Sequence, residues 1–225
     1  MSTSGFFRNW LMQHITLHSH DDDRSEFANG MTHAVGAVLC IVALIAMVVK
    51  TYPWTNGPMT FGAVLYGFSM LLLYSSSSIY HLVKGPVLKR VMRIMDHTSI
   101  YLLIAGTYTP VMLYIQSRAC ITVLAVVWGL TAIGIVFTLL FWGRFGFLHV
   151  LFYLVMGWLV MLVWGELVEY IPADFLPWAL AGGLTYTLGT VVYAAKKIPY
   201  YHAIWHLFVL GGSACFFFGI YFHLL

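Results

Sequence analysis

The chain has 225 residues, of which 61% are hydrophobic and only 8% charged. Soluble domains carry about 25% charged residues, so a soluble fold is excluded. The net charge of +3 is scattered over short loops, which excludes the basic footprint of a nucleic-acid partner.

Residues 1–30 are polar and read as a cytosolic N-terminal tail, ahead of a single transmembrane domain at 31–225. The tail holds no apolar core of signal-peptide length, so no cleaved leader is expected. Phe6, Phe7, Trp10 and Leu11 have helix-like spacing that suits a membrane surface. The composition around them favours a disordered, solvated tail, in which His14, His18, His20 and the aspartates Asp21, Asp22 and Asp23 would collect metal only weakly.

Apolar runs read against their polar and proline breaks give seven spans, near 31–50, 60–83, 97–115, 119–141, 148–167, 175–195 and 203–223. Pro53, Pro58, Pro86, Pro172, Pro177 and Pro199 fall in the breaks, where helix-ending residues belong. Pro110 falls inside the third span and is expected to kink it. Cys40, Cys120 and Cys215 lie singly in apolar runs and indicate neither disulfides nor a cysteine metal site. The expected fold is therefore all-α, an integral membrane protein of seven transmembrane helices.

Orientation follows from lysine and arginine in the loops. A cytosolic N-terminus puts Arg8, Arg24, Lys84, Lys89, Arg90, Arg93, Arg144, Lys196 and Lys197 inside, and only Lys50 and Arg118 outside. Seven spans then leave the C-terminus outside. Glu166, Glu169 and Asp174 read as ordinary outer-loop charges.

On that topology the unusual polar groups gather at the inner face. His202 and His206 stand one turn apart where the last span begins, with Cβ atoms roughly 6 Å apart on one helix face. His81 ends the second span with Ser77 a turn before it, and Asp96 opens the third. Glu26, Asn29 and His33 form one face at the start of the first and read as a supporting inner-face polar cluster. Ionisable groups are costly in a bilayer and are functional candidates by default. Three neutral imidazoles plus water or a carboxylate make a zinc site with an open position. His81, His202 and His206 are the candidate metal ligands, although imidazole also suits iron, copper and nickel. Asp96 can hold a water at the ion or reach the ion itself, and Ser77 can orient a ligand or a substrate carbonyl; these two are the candidate catalytic residues. His97 points about 100° away from Asp96 around the helix and reads as structural. His149 and His223 read as interfacial, and Ser75, Ser76 and Ser78 as helix-packing residues. The pair on the last span is not His-Glu-x-x-His, so the metalloprotease base is missing from that helix.

These pieces resemble the hemolysin III family, within the progestin and adipoQ receptor superfamily of seven-helix membrane proteins. They are Glu26-Phe27-Ala28-Asn29 with Thr32-His33, Ser77-x-x-x-His81, the run from Asp96-His97-Thr98 to Gly106-Thr107-Tyr108-Thr109-Pro110, and His202-x-x-x-His206. The resemblance covers nearly all the chain after the tail. It implies an intramembrane zinc near the cytosolic face, held at His81, His202 and His206, with Asp96 and Ser77 close to its water. It also implies a cytosolic N-terminus and, for the bacterial branch that the short tail resembles, a link to membrane-lipid homeostasis in the cytoplasmic membrane. Adiponectin-receptor relatives have been linked to ceramide hydrolysis, and the superfamily includes alkaline ceramidases.

Three functions compete. One is a zinc-dependent intramembrane hydrolase of a lipid amide or ester, with membrane lipid as substrate. Another is a sensor or regulator of membrane state, in which zinc is structural. The third is a pore-forming haemolysin, against which the nearly uniform apolarity of the spans counts. The sequence assigns no oligomeric state.

Overall fold

In hydrocarbon every backbone N–H and C=O must be paired within its own segment, so long apolar runs close into helices. The structure, a computed structural model, describes residues 3–17, 22–53 and 56–225. The helices are α1 (Thr3–His14), α2 (Asp23–Thr51), α3 (Gly57–Leu82), α4 (Pro86–Ile115), α5 (Arg118–Leu140), α6 (Gly146–Trp158), α7 (Trp164–Tyr170), α8 (Phe175–Ala194) and α9 (Tyr201–His223). A 3-10 segment, Leu159–Val163, joins α6 to α7, and the three together make one span, Gly146–Tyr170. Among the described residues seven helical spans are long and apolar enough to cross a membrane, as the sequence predicts.

Two spans begin earlier than the apolar runs do. The Asp22 carboxylate accepts the Ser25 backbone N–H at 2.7 Å and starts α2 at Asp23. That hydrogen bond holds the Asp22 carboxyl below its usual range. Pro86 in the first turn starts α4. Start signals override the polarity of the opening turns, so Glu26, Asn29, His33 and Asp96 lie within regular helix. Helix α4 runs through Pro110, against which Gly62 of α3 packs. A Cβ at Gly62 would sit 2.7 Å from Pro110 Cα, so only glycine allows that approach.

The expected disordered tail does not hold for residues 3–17. Helix α1 packs on the start of α4 with Leu11 and Ile15 fully buried, while Phe6 and Phe7 stay exposed. Arg90 Nε donates to the Ile15 carbonyl at 2.9 Å and Arg93 donates to that of Thr16. These bonds satisfy two carbonyls of the chain just past the end of α1. His18, His20 and Asp21 lie outside the described residues.

The spans form a ring in chain order, each packing on the next, and α9 returns to α2. Helices α3 and α4 are the most buried spans and carry most of the buried serines and threonines, whereas α2 and α5 turn mostly apolar faces outward. In the bundle centre Tyr74 Oη donates to Ser213 Oγ at 2.6 Å, Tyr186 Oη meets the same hydroxyl at 2.7 Å, and Tyr66 Oη donates to the Ser213 carbonyl at 2.8 Å. The 3-10 break is filled by Tyr108 of α4. Its hydroxyl accepts the Val160 N–H at 2.7 Å and faces the carbonyls of Gly157 and Met156 at 2.8 and 3.0 Å.

Candidate metal centre

Two helix ends deliver the three histidines to one place. His81 comes from the last turn of α3, and His202 and His206 from the first two turns of α9. Each offers a ring nitrogen, and these atoms lie within 4.8 Å of one another. The rings stand edge to face, with centroids 5.1 Å apart for His81 and His202, 5.4 Å for His81 and His206, and 4.6 Å for His202 and His206. His81 and His206 are buried and His202 is partly exposed. Among the described residues these three make up the group, and Asp96 stands outside it. Tetrahedral zinc, with Zn–N bonds of about 2.0–2.1 Å, would hold the nitrogens about 3.3 Å apart, so a modest inward turn of the rings completes the fit.

What lies behind the rings prepares them for that role. His81 Nδ1 faces Glu26 Oε1 at 3.2 Å. His206 Nδ1 donates to the Asn29 carbonyl at 3.0 Å and lies 3.1 Å from Thr32 Oγ1, which itself donates to that carbonyl at 2.8 Å. A proton fixed on Nδ1 leaves the lone pair on Nε2, which is how metal-binding imidazoles are oriented. Among the described residues His81 Nε2 is buried with no hydrogen-bond partner. Ser77 Oγ, both nitrogens of His33 and both side-chain polar atoms of Asn29 are in the same state. Buried polar atoms in native proteins are almost always paired. A cluster of exceptions around three histidines fits a cation with its water.

The supporting cluster read from the sequence proves to touch the histidines directly. His33 stacks on His206 with centroids 3.6 Å apart and planes at 14°, and its other side meets Tyr74 edge-on at 4.9 Å. Asp96 is buried, with His97 Nδ1 at 3.6 Å, and neighbours both Ser77 and His81. His97, read as structural, turns its ring toward Trp142 at 5.2 Å.

A cavity of about 480 Å³ opens from this cluster into the bundle. That is within the size range of small-molecule sites. His33, Asp96, His202 and His206 form one end, and the wall continues through Leu103, Tyr108, Val209 and Phe216 to Trp164 and Phe175. His149, read as interfacial, lies in the first turn of α6. It is half-buried on the cavity wall, with Nδ1 3.2 Å from Tyr101 Oη and 3.4 Å from Thr138 Oγ1. His223 sits partly exposed at the end of α9.

Sequence reasoning missed Lys89, whose Nζ lies 2.5 Å from Glu26 Oε2, because as a loop cation it registered only as a topology charge. It also missed Tyr193, whose ring meets His202 at 5.8 Å. Nothing in a tyrosine at that position distinguishes it from an interfacial one.

Comparison with known proteins identifies relatives of the whole chain. Residues 23–217 match the family model described as Haemolysin-III related. The chain is 40% identical to Hemolysin-3 of Bacillus cereus over 90% of its own length and 93% of the relative's. It is 40% identical to the Hemolysin-3 homolog of Bacillus subtilis (strain 168), over 89% and 94% respectively. More distant is the monocyte to macrophage differentiation factor of Homo sapiens, 28% identical over 71% of this chain and 68% of that protein.

Proposed function

This chain belongs to the Haemolysin-III related family, and on that footing we propose that it is a zinc-dependent intramembrane hydrolase of a lipid amide or ester, serving membrane-lipid homeostasis. One observation carries the reading: two of the three grouped histidines, His202 and His206, stand with Asp96 at one end of a cavity whose remaining wall is mostly apolar. His81, His202 and His206 hold the ion. Zinc bound there supplies Lewis acidity toward a carbonyl and lowers the pKa of water to about 7. The chain's own groups do the rest. An acyl chain enters the cavity and presents its carbonyl at the histidine end. Asp96 accepts a hydrogen bond from the attacking water and takes its proton on a carboxylate oxygen as the new C–O bond forms. That proton passes to the leaving amine or alkoxide as the C–N or C–O bond breaks. Ser77 Oγ–H steadies the substrate carbonyl.

In this reading the N-terminus and the histidine end face the cytosol and the C-terminus lies outside, which the charge bias supports, and the membrane is a bacterial cytoplasmic one, which the bacterial relatives support. A second reading has its own support. A metal bridging α3 and α9 would staple distant helices, so a regulator with structural zinc also accounts for buried His81 and His206.

The deciding experiment measures bound metal and lipid turnover on the same preparation. Purified wild type should carry about one zinc per chain, His202→Ala and His206→Ala should lose it, and mass spectrometry of a lipid mixture should show fatty acid released by wild type alone. Metal-free wild type would end both readings; zinc without turnover would leave the regulator.

A further inference from the structure

A neutral imidazole has one N–H and one lone pair, and whatever its N–H bonds decides which nitrogen can bind a metal. At His81 that choice is made by Glu26 Oε1, 3.2 Å from Nδ1. Glu26 is itself held. Its Oε2 lies 2.5 Å from Lys89 Nζ, and the same ammonium donates to the His81 carbonyl at 3.3 Å. Lys89 also lies 5.1 Å over the ring of Tyr80. The Lys89 and Glu26 side chains are each only 18% exposed. Ordering two long side chains and drying two charges is costly, and such a pair is weak evidence for stability by itself. A lysine needed only for membrane orientation would require no partner at all.

The three residues come from three elements: the start of α2, the end of α3 and the start of α4. One carboxylate therefore joins three helix ends while aiming a single imidazole. Its position corresponds to the outer-shell carboxylates that orient metal-binding histidines, whose removal weakens metal binding by about 10–100-fold.

We propose that Lys89 and Glu26 form a positioning relay: Lys89 fixes the Glu26 carboxylate, and Glu26 fixes the ring orientation and tautomer of His81, so that together they set the protein's affinity for its metal. The relay rests on the three-histidine zinc reading and adds to it two residues that touch neither ion nor substrate. Among the described residues His206 has no carboxylate counterpart: its Nδ1 is held by the Asn29 backbone carbonyl, with the Thr32 hydroxyl 3.1 Å away.

The test uses the full chain in detergent micelles. Zinc affinity is read by competition with a chromophoric chelator, cobalt(II) absorption reports coordination, and the melting temperature of the metal-free protein monitors folding. Glu26→Gln keeps the size of the side chain and removes the anionic acceptor; Lys89→Met keeps the stem and removes the cation. Glu26→Gln should weaken zinc binding about 10–100-fold and shift the cobalt bands. Lys89→Met should weaken it by a smaller factor, and Lys89→Arg should restore it, with metal-free melting temperatures close to wild type throughout. Unchanged zinc affinity in both variants, with His81→Ala losing the metal, overturns the relay and leaves the zinc reading intact. Loss of affinity matched by an equal loss of metal-free stability overturns it in favour of a structural ion pair. A wild type that binds no zinc overturns both.

Discussion

Asp96 and Ser77 are the residues on which catalysis and mere metal storage part company. Asp96 is buried beside the histidine group but outside it, so replacing the carboxylate should not release the ion. Asp96→Asn is expected to retain zinc and wild-type melting behaviour while turnover of a lipid amide or ester falls about 10²–10⁴-fold, the usual contribution of a positioned acid–base group. Equal turnover in the variant would point to the regulatory reading. The sequence places His81, His202 and His206 at one depth by their spans, and the structure brings their nitrogens within 4.8 Å. It could not reveal the stacking of His33 on His206 at 3.6 Å, nor the role of Lys89. Depth follows from where a helix starts, but contact depends on how each helix is rotated toward its neighbours, which packing alone decides.

The fifth span, Gly146–Tyr170, shows the same division between what a run of residues encodes and what packing adds. Its apolar content marks a span correctly, but no proline marks the 3-10 segment Leu159–Val163. The break depends on Tyr108, contributed by another helix, which takes up polar groups at Met156, Gly157 and Val160 that a bilayer would leave unpaired. Tyr108→Phe should therefore destabilise the protein by about 1–3 kcal/mol, the cost of unsatisfied buried backbone groups, seen as a lower unfolding midpoint. Zinc content should be unaffected, because the break lies on the cavity wall away from the histidines. Likewise, Gly62→Leu should disrupt α3–α4 packing, since its first side-chain atom already meets Pro110 backbone; the check is loss of a monodisperse peak in gel filtration.

Across the whole molecule, seven spans and their order were legible because bilayer thickness imposes a length on each apolar run. Their closure into a ring was not, and it is closure that brings α9 against α2 and beside α3. A cation shared by His81 and the α9 pair would tie the second span to the seventh. Zinc at 100 times its dissociation constant should then add about 2.7 kcal/mol of stability, and chelation should lower the melting temperature of wild type but not of His206→Ala. Orientation is open to an equally direct check: reporters fused to the termini should place the N-terminus in the cytosol and the C-terminus outside, as nine inner cations against two outer ones require. The measurement that bears most directly on the central claim is an anomalous difference map collected at the zinc absorption edge. A single strong peak within bonding distance of His81, His202 and His206 is the expected result; the three imidazoles turned toward lipid, with no peak between them, would contradict it.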